Sequence, residues 1–471
     1  MKNLKYLFLL VGALSFASCS EDIMDDINKD KNNAAQIQAK LTLPHVIVES
    51  AAGTTATDMA WYSSVYIEHN AGTHGQFYTA DKRTNTNESS LFNNSWNSLY
   101  QSALMPANDI IKKCSPGGTE ADNTRLLGIA QILIAYNWAV TTDMWGDIPF
   151  SEALQGSLNR QPKYDTQETV YTGIQKLLDD AIVNLTASLT SANTILTYDY
   201  IYGGDAAKWI KAANSLKARY YLRLSNKDAS AAQKALAAAA KGFTSAADAF
   251  VFAKYEATAI GENPWYQFFV DRTATSVGKT LYDLMVARND PRVNYYFTLK
   301  SGVIVPAPNG TATESQNATY SVSKIASELR TNPTPLMSYH ELLFVIAEAK
   351  FRASDATYTT DLKNAITASF AWHKVTESAA TYYTANVEPK LATAALEEIL
   401  TQKYIAGYEI ESIEAYNDYR RTGFPTMKNP NNNLAAYGFV NRFPYPTTEE
   451  SYNSANVPSI NSFKDKVWWA K

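Results

Sequence analysis

TRLLGIAQILIAYNWAVTTDMWGDIPFSEA, residues 124–153, joins an unusually apolar run to a run of turn residues. From Thr124 to Thr142 nearly every side chain is apolar, on all sides of the 3.6-residue period, as in a helix surrounded by other helices. Gly146 and Pro149 then break the pattern. Two carboxylates, Asp143 and Asp147, stand at that break. Such a pair could serve acid/base chemistry, but a loop-capping role fits the turn better.

Working outward, helices dominate. Residues 92–114 carry a stripe of Phe92, Trp96, Leu99, Tyr100, Ala103, Ala107 and Ile110, stopped by Pro116-Gly117-Gly118. Residues 166–187 follow Asp165, a candidate N-cap with Glu168 three residues on. Residues 206–225 set Trp209, Ala213, Leu216, Tyr220 and Leu224 on one face. Further helices are predicted at 231–241, 278–288, 336–353, 360–372, 376–385, 391–406 and 411–421. Several fall into sequence-adjacent pairs, a hint of helix-pair repeats without a strict period. Two stretches, 69–94 and 255–277, lack helical period and mix aromatics with Gly, Asn and Thr. Loops of that length are usually functional or disordered. Alternation around Asn309-Gly310 predicts a short β hairpin within 300–325, and 426–445 reads as loop. No domain boundary is visible, so 36–471 reads as one domain.

Charged residues inside this pattern need partners. Arg219 and Arg223 lie four apart on one helical face, and Glu348, flanked by alanines, is a natural counter-ion. Arg420 and Arg421 are expected to pin a helix end, and Asp179-Asp180 and Glu397-Glu398 to be solvated faces.

Net charge is −4 with both signs interspersed, which argues against nucleic acid as a partner. The chain has 30 Tyr and 9 Trp, suited either to core or to binding faces with a polar edge. At the N-terminus, Lys2 and Lys5 precede an apolar run and the small residues that lead into Cys19. Residues 1–18 therefore read as a secretory signal. Cys19 stands where a bacterial lipoprotein is lipidated, although Phe16 occupies the usual Leu position. The alternative is an ordinary signal peptide with an incidental cysteine. Residues 19–35, with acids at 21, 22, 25 and 26, form a tether. Cys114 is left without a disulfide partner and reads as a small apolar residue near a helix end.

A series of short motifs, in order, carries a family resemblance. They are Trp96 and Tyr100 with Ala107-Asn108; Thr142 to Ala153; Pro162 with Tyr164-Asp165; and Tyr202-Gly203-Gly204-Asp205 with Lys208-Trp209. Asn214 to Arg219, Asp290-Pro291-Arg292, Ala347-Glu348-Ala349, Tyr419 to Pro425 and Arg442 to Pro446 complete it. In this arrangement the chain resembles the SusD/RagB-like nutrient-binding lipoproteins, in their second SusD-like subgroup. The resemblance implies a mostly α fold of tetratricopeptide-like helix pairs, with loops forming the ligand face. It also implies outer-membrane location facing outward, and a SusC-like TonB-dependent transporter as partner.

For catalysis the sequence offers little. His69 and His74 are the only close histidine pair and fit no helical zinc motif. No nucleophile elbow, P-loop or dinucleotide fingerprint appears, so a binding protein without cofactor or metal is expected. Candidate ligand residues come from the two aromatic loops: His74, Gln76, Phe77 and Tyr78 in one, Trp265, Tyr266 and Arg272 in the other. Aromatic rings suit the C–H faces of sugars, and amide, His and Arg side chains suit the hydroxyls. Oligosaccharide is the first expectation and peptide the second. Two rival readings remain: Trp265 and Phe268 could plug the bundle from a loop, and the chain could be a helical-repeat scaffold without a small ligand.

Overall fold

The computed structural model describes residues 37–85, 88–187, 197–316, 318–434 and 436–471. Cys19, the signal and the tether lie outside them. The chain opens with α1 (Ala39–Val48), which runs into a π turn, and α2 (Asp58–Tyr66). A short strand β1 (Asn70–Gly72) and helix α3 (Gly75–Asp81) follow. The stripe expected as one helix over 92–114 is instead a 3₁₀ turn, a helical turn at Asn93–Asn97, a π segment at Ser98–Leu104 and α4 (Met105–Cys114). Pro106, in the first turn of α4, has no N–H for the preceding turn, so regular i→i−4 bonding cannot pass through it.

Helix α5 (Thr124–Trp145) is the buried helix of the opening stretch. Asn123 caps it by accepting from the Leu126 N–H, and Gly146, at φ +83°, ends it. The turn residues beyond form β2 (Ile148–Pro149), paired antiparallel with β3 (Tyr164–Asp165). Asp165 is therefore a strand residue whose carboxylate accepts from the Phe150 and Ser151 N–H groups. The cap of α6 (Gln167–Thr186) is Thr166, one residue later than expected. Helices α7 (Ala206–Arg223) and α8 (Ala231–Ala239) lead to β4 (Phe250–Phe252).

The stretch expected as a loop at 255–277 contains α9 (Pro264–Arg272) and β5 (Thr275–Val277), and α10 (Lys279–Val286) follows. In 300–325 the close pairing is Lys300 with Val303, around Ser301-Gly302 rather than Asn309-Gly310. Asn309 instead bonds the Thr280 N–H and the Asn70 carbonyl. Strand β6 (Thr334–Met337) pairs with β4, and α11 (Tyr339–Arg352), α12 (Tyr358–Trp372), α13 (Leu391–Ala406) and α14 (Ser412–Thr422) complete the helical body. Helix α5 packs on α6, α7 on α8 and α11 on α12, with α6–α7 and α8–α11 joining the pairs. The architecture is mostly α, as the tetratricopeptide-like expectation held, with three two-stranded ribbons among the described residues.

The core is apolar but threaded by ions. Arg219 pairs with Glu341, two turns before Glu348 on α11, and lies 3.7 Å from Glu414. Arg223 pairs with Glu414. Glu348 is thus not their counter-ion. It holds Arg421 through both oxygens, at 2.5 and 2.7 Å, and Arg352 at 2.7 Å. Lys403 joins Asp418 at 2.7 Å, tying α13 to α14. Glu398, expected on a solvated face, is buried and grips Arg288 in a fork. Buried charges stay ionised only when so paired. Asp147 caps α6 at the Gln167 N–H, as a turn acid should. Asp143 is different: buried, it accepts from the Tyr171 hydroxyl at 2.6 Å and the Trp469 indole at 2.9 Å. It is a core acid. Among the described residues no helix is long and apolar enough to cross a membrane.

Candidate functional site

The two aromatic stretches meet because β1 and β5 pair antiparallel, Asn70 opposite Val277 and Gly72 opposite Thr275. That ribbon sets α3 and α9 beside α2. Where they converge, Trp61 of α2 stacks on Phe268 of α9 at 4.2 Å. Phe77 of α3 packs against Tyr62 at 4.7 Å and against Phe268 at 5.1 Å. Above these rings lies a cavity of about 1100 Å³. Its rim is polar: Asp58, His74, Gln76, Asn94, Gln267, Asp271, Arg272 and Gln316 all line it.

Backbone geometry fixes α3 tightly. A Cβ on Gly72 would come within 1.7 Å of the Phe77 carbonyl oxygen, so the strand can approach the helix only as glycine. At the far end of α3, Asp81 accepts from the Gly310 N–H at 2.6 Å, and the Asn429 amide donates to its carbonyl. Burial pushes the Asp81 carboxyl up to about 7, against the pull of Arg83. Glu68 accepts from the backbone N–H groups of Lys428 and Asn429, both at 2.8 Å. This anchors the 426–434 loop beneath the site.

The predicted residues divide. His74, Gln76, Phe77 and Arg272 line the cavity. His74 sits at the rim with Glu314 3.6 Å away, whereas His69 is buried against the Tyr404 carbonyl, so the two histidines share no site. Burial lowers the His69 ring to about 3. Tyr78 and Tyr266 are not among the lining residues. Lys82 stands over the Tyr78 ring at 5.0 Å and Arg330 over the Tyr266 ring at 5.9 Å. Trp265 is 3% exposed and meets Trp61 edge-on at 6.2 Å. It packs behind the floor as a buried ring, from α9 rather than from a loop. Phe268 is buried too, yet one side of it reaches the cavity.

Asp58, Trp61 and Tyr62 were not singled out by the sequence reading. Their signal is an acid followed by aromatics three and four residues on, one helical face, at the start of α2. Burial raises the Asp58 carboxyl while Arg272 pulls it down. The Tyr62 phenol is pushed up by burial and then by Asp58 and Glu88, both cavity residues. Among the described residues no cluster of three or more His, Cys, Asp or Glu is placed to hold a metal.

A family model described as "Starch-binding associating with outer membrane" matches residues 31–446. A SusD/RagB family protein from Bacteroides thetaiotaomicron is 34% identical, with a TM-score of 0.85 over 92% of this chain and 99% of that one. A chitin-binding SusD homolog from Flavobacterium johnsoniae shares the fold at 23% identity and a TM-score of 0.76, over 92% and 98% of the two chains. A SusD homolog from Bacteroides uniformis does so at 23% and 0.73, with the same coverage. No curated protein sequence matches the chain. The match along nearly all of the helical body, together with the shared fold, makes this chain a member of the SusD/RagB family, in its second SusD-like subgroup.

Proposed function

We propose that this protein binds a nutrient oligosaccharide at the cell surface, in the cavity between α2, α3 and α9, and delivers it to a SusC-like TonB-dependent transporter. One observation carries the reading: a floor of stacked rings, Trp61 on Phe268, is rimmed by amide and charged side chains in a cavity of oligosaccharide size. Rings bind the C–H faces of a sugar, and the rim takes its hydroxyls. A scaffold has no use for such a floor. The family's outer-membrane association supports the location. Lipidation of Cys19 would supply the anchor, since several acyl chains on one residue hold where one does not. The role is capture, with no catalytic step.

Calorimetry against glycan and peptide pools tests the ligand class, and competition should localise binding to the cavity. Binding of peptides with no saccharide response would move the protein to the peptide reading. Pull-down from detergent extracts should recover a TonB-dependent barrel, and recovery of the lipoprotein alone would count against the partnership.

A further inference from the structure

Asp58 opens α2 one turn before Trp61, and Arg272 closes α9 one turn after Phe268. Both line the cavity, each a helical turn along its helix from the ring pair. They feel each other electrostatically. Yet among the described residues neither the Asp58 carboxylate nor the Arg272 guanidinium makes a hydrogen bond, and no ion pair joins them. Other acids withdrawn from water here hold a donor directly, as Asp248 holds Lys211 at 2.8 Å and Asp199 the Trp209 indole at 2.7 Å. An acid half-buried without a contact loses hydration and gains little in return.

We propose that Asp58 and Arg272, both lining the cavity and not paired with each other, select the ligand by charge: the site takes neutral saccharides and rejects uronate- or sulfate-bearing ones. This rests on the saccharide reading above. A ring lying on Trp61 and Phe268 presents hydroxyls at its edge, and a hydroxyl both donates and accepts. It can donate to Asp58 and accept from Arg272 at once, satisfying both charges without adding one. An anionic sugar meets a different balance. Asp58, Glu88 and Asp271 all line the cavity, against Arg272 as the one Arg or Lys among the described lining residues, and His74 already faces Glu314. A carboxylate on the ligand would gain one cation and face three acids, and like-charge juxtaposition is how sites refuse wrong partners.

The test is an array of neutral, uronate-bearing and sulfated oligosaccharides, followed by calorimetry of the best neutral and best acidic binders. Wild type should favour neutral glycans by about tenfold or more. D58N should raise the acidic-to-neutral affinity ratio by about tenfold, and R272Q, an exposed change, should lower it. The ratio is insensitive to a general loss of folded protein, and melting curves accompany each variant. Wild type that binds acidic glycans as well as neutral ones, or a ratio unmoved by both substitutions, overturns charge selection while leaving saccharide binding intact. Wild type that binds no glycan overturns both.

Discussion

Trp61 and Phe268 lie ring on ring, centroids 4.2 Å apart and planes 20° from parallel, although 207 positions separate them along the chain. Their contact forms the cavity floor, and Trp265 packs behind it. Trp61→Ala should therefore weaken ligand binding by about 1–3 kcal/mol, as loss of a central aromatic does. Trp265→Ala should instead lower stability by about 3–5 kcal/mol, as truncation of a buried ring does. Calorimetry and denaturant melts on both variants separate the two roles. Equal loss of binding with unchanged melting for Trp265→Ala would put that ring back in the site.

The fork between Arg421 and Glu348 is fully buried, so removing Glu348 leaves the buried Arg421 with Asp418, at 2.9 Å, as its one remaining carboxylate among the described residues. Glu348→Ala should destabilise by about 3–5 kcal/mol. Replacing both residues with methionine should cost less than the sum of the single changes, because neither charge is then stranded. A double-mutant cycle in urea measures the difference, and additivity would count against the pair.

Glu409 is buried, accepts from the Asn70 amide at 2.8 Å, and is raised by burial to about 7 from an ordinary 4.5. Between those values the folded state holds the proton and the unfolded state has released it. Stability contributed by Glu409 therefore falls as pH rises through that window. His69 and His373, lowered to about 3, act oppositely below pH 6.5, since the unfolded chain gains their protons first. Comparison with Glu409→Gln isolates the acid: from pH 4.5 to 8 the wild type should lose at most about 3 kcal/mol relative to the variant. Parallel pH curves would show that the carboxyl is not raised.

Gly72→Ala places a methyl against the Phe77 carbonyl. The strand or α3 must then move, and α3 carries Gln76 and Phe77. Ligand affinity should drop about tenfold or more, with a smaller effect on global melting. Unchanged affinity would mean that α3 is not part of the site.

Much of the helical body was legible because helical period survives in sequence: α5, α7, α11 and α14 lie within a few residues of their expected bounds. What periodicity could not show was pairing at a distance. Glu348 looked like the counter-ion of Arg219, but Glu341 on the same face reaches it and Arg421 claims Glu348. Only packing chooses between two acids two turns apart. The short helices α3 and α9 hid in stretches rich in Gly, Asn and Thr, where one or two turns leave no readable stripe. Both aromatic segments, expected as ligand-binding loops, contribute His74, Gln76, Phe77 and Arg272 to the cavity lining, while the third wall, α2, carried no expectation at all.

The hydrogen bonds that seat the site close extremely long loops: Glu68 to Asn429 spans 361 residues, Arg83 to Asn432 349, and His69 to Tyr404 335. Closing such loops is entropically slow, and nothing local rewards it early. The helix pairs in the middle of the chain can assemble from near neighbours. The cavity cannot, because its base waits for residues near 430. A growing chain lacks the anchors of this base until residues near 430 have been made, so the site is completed only when the chain is almost whole.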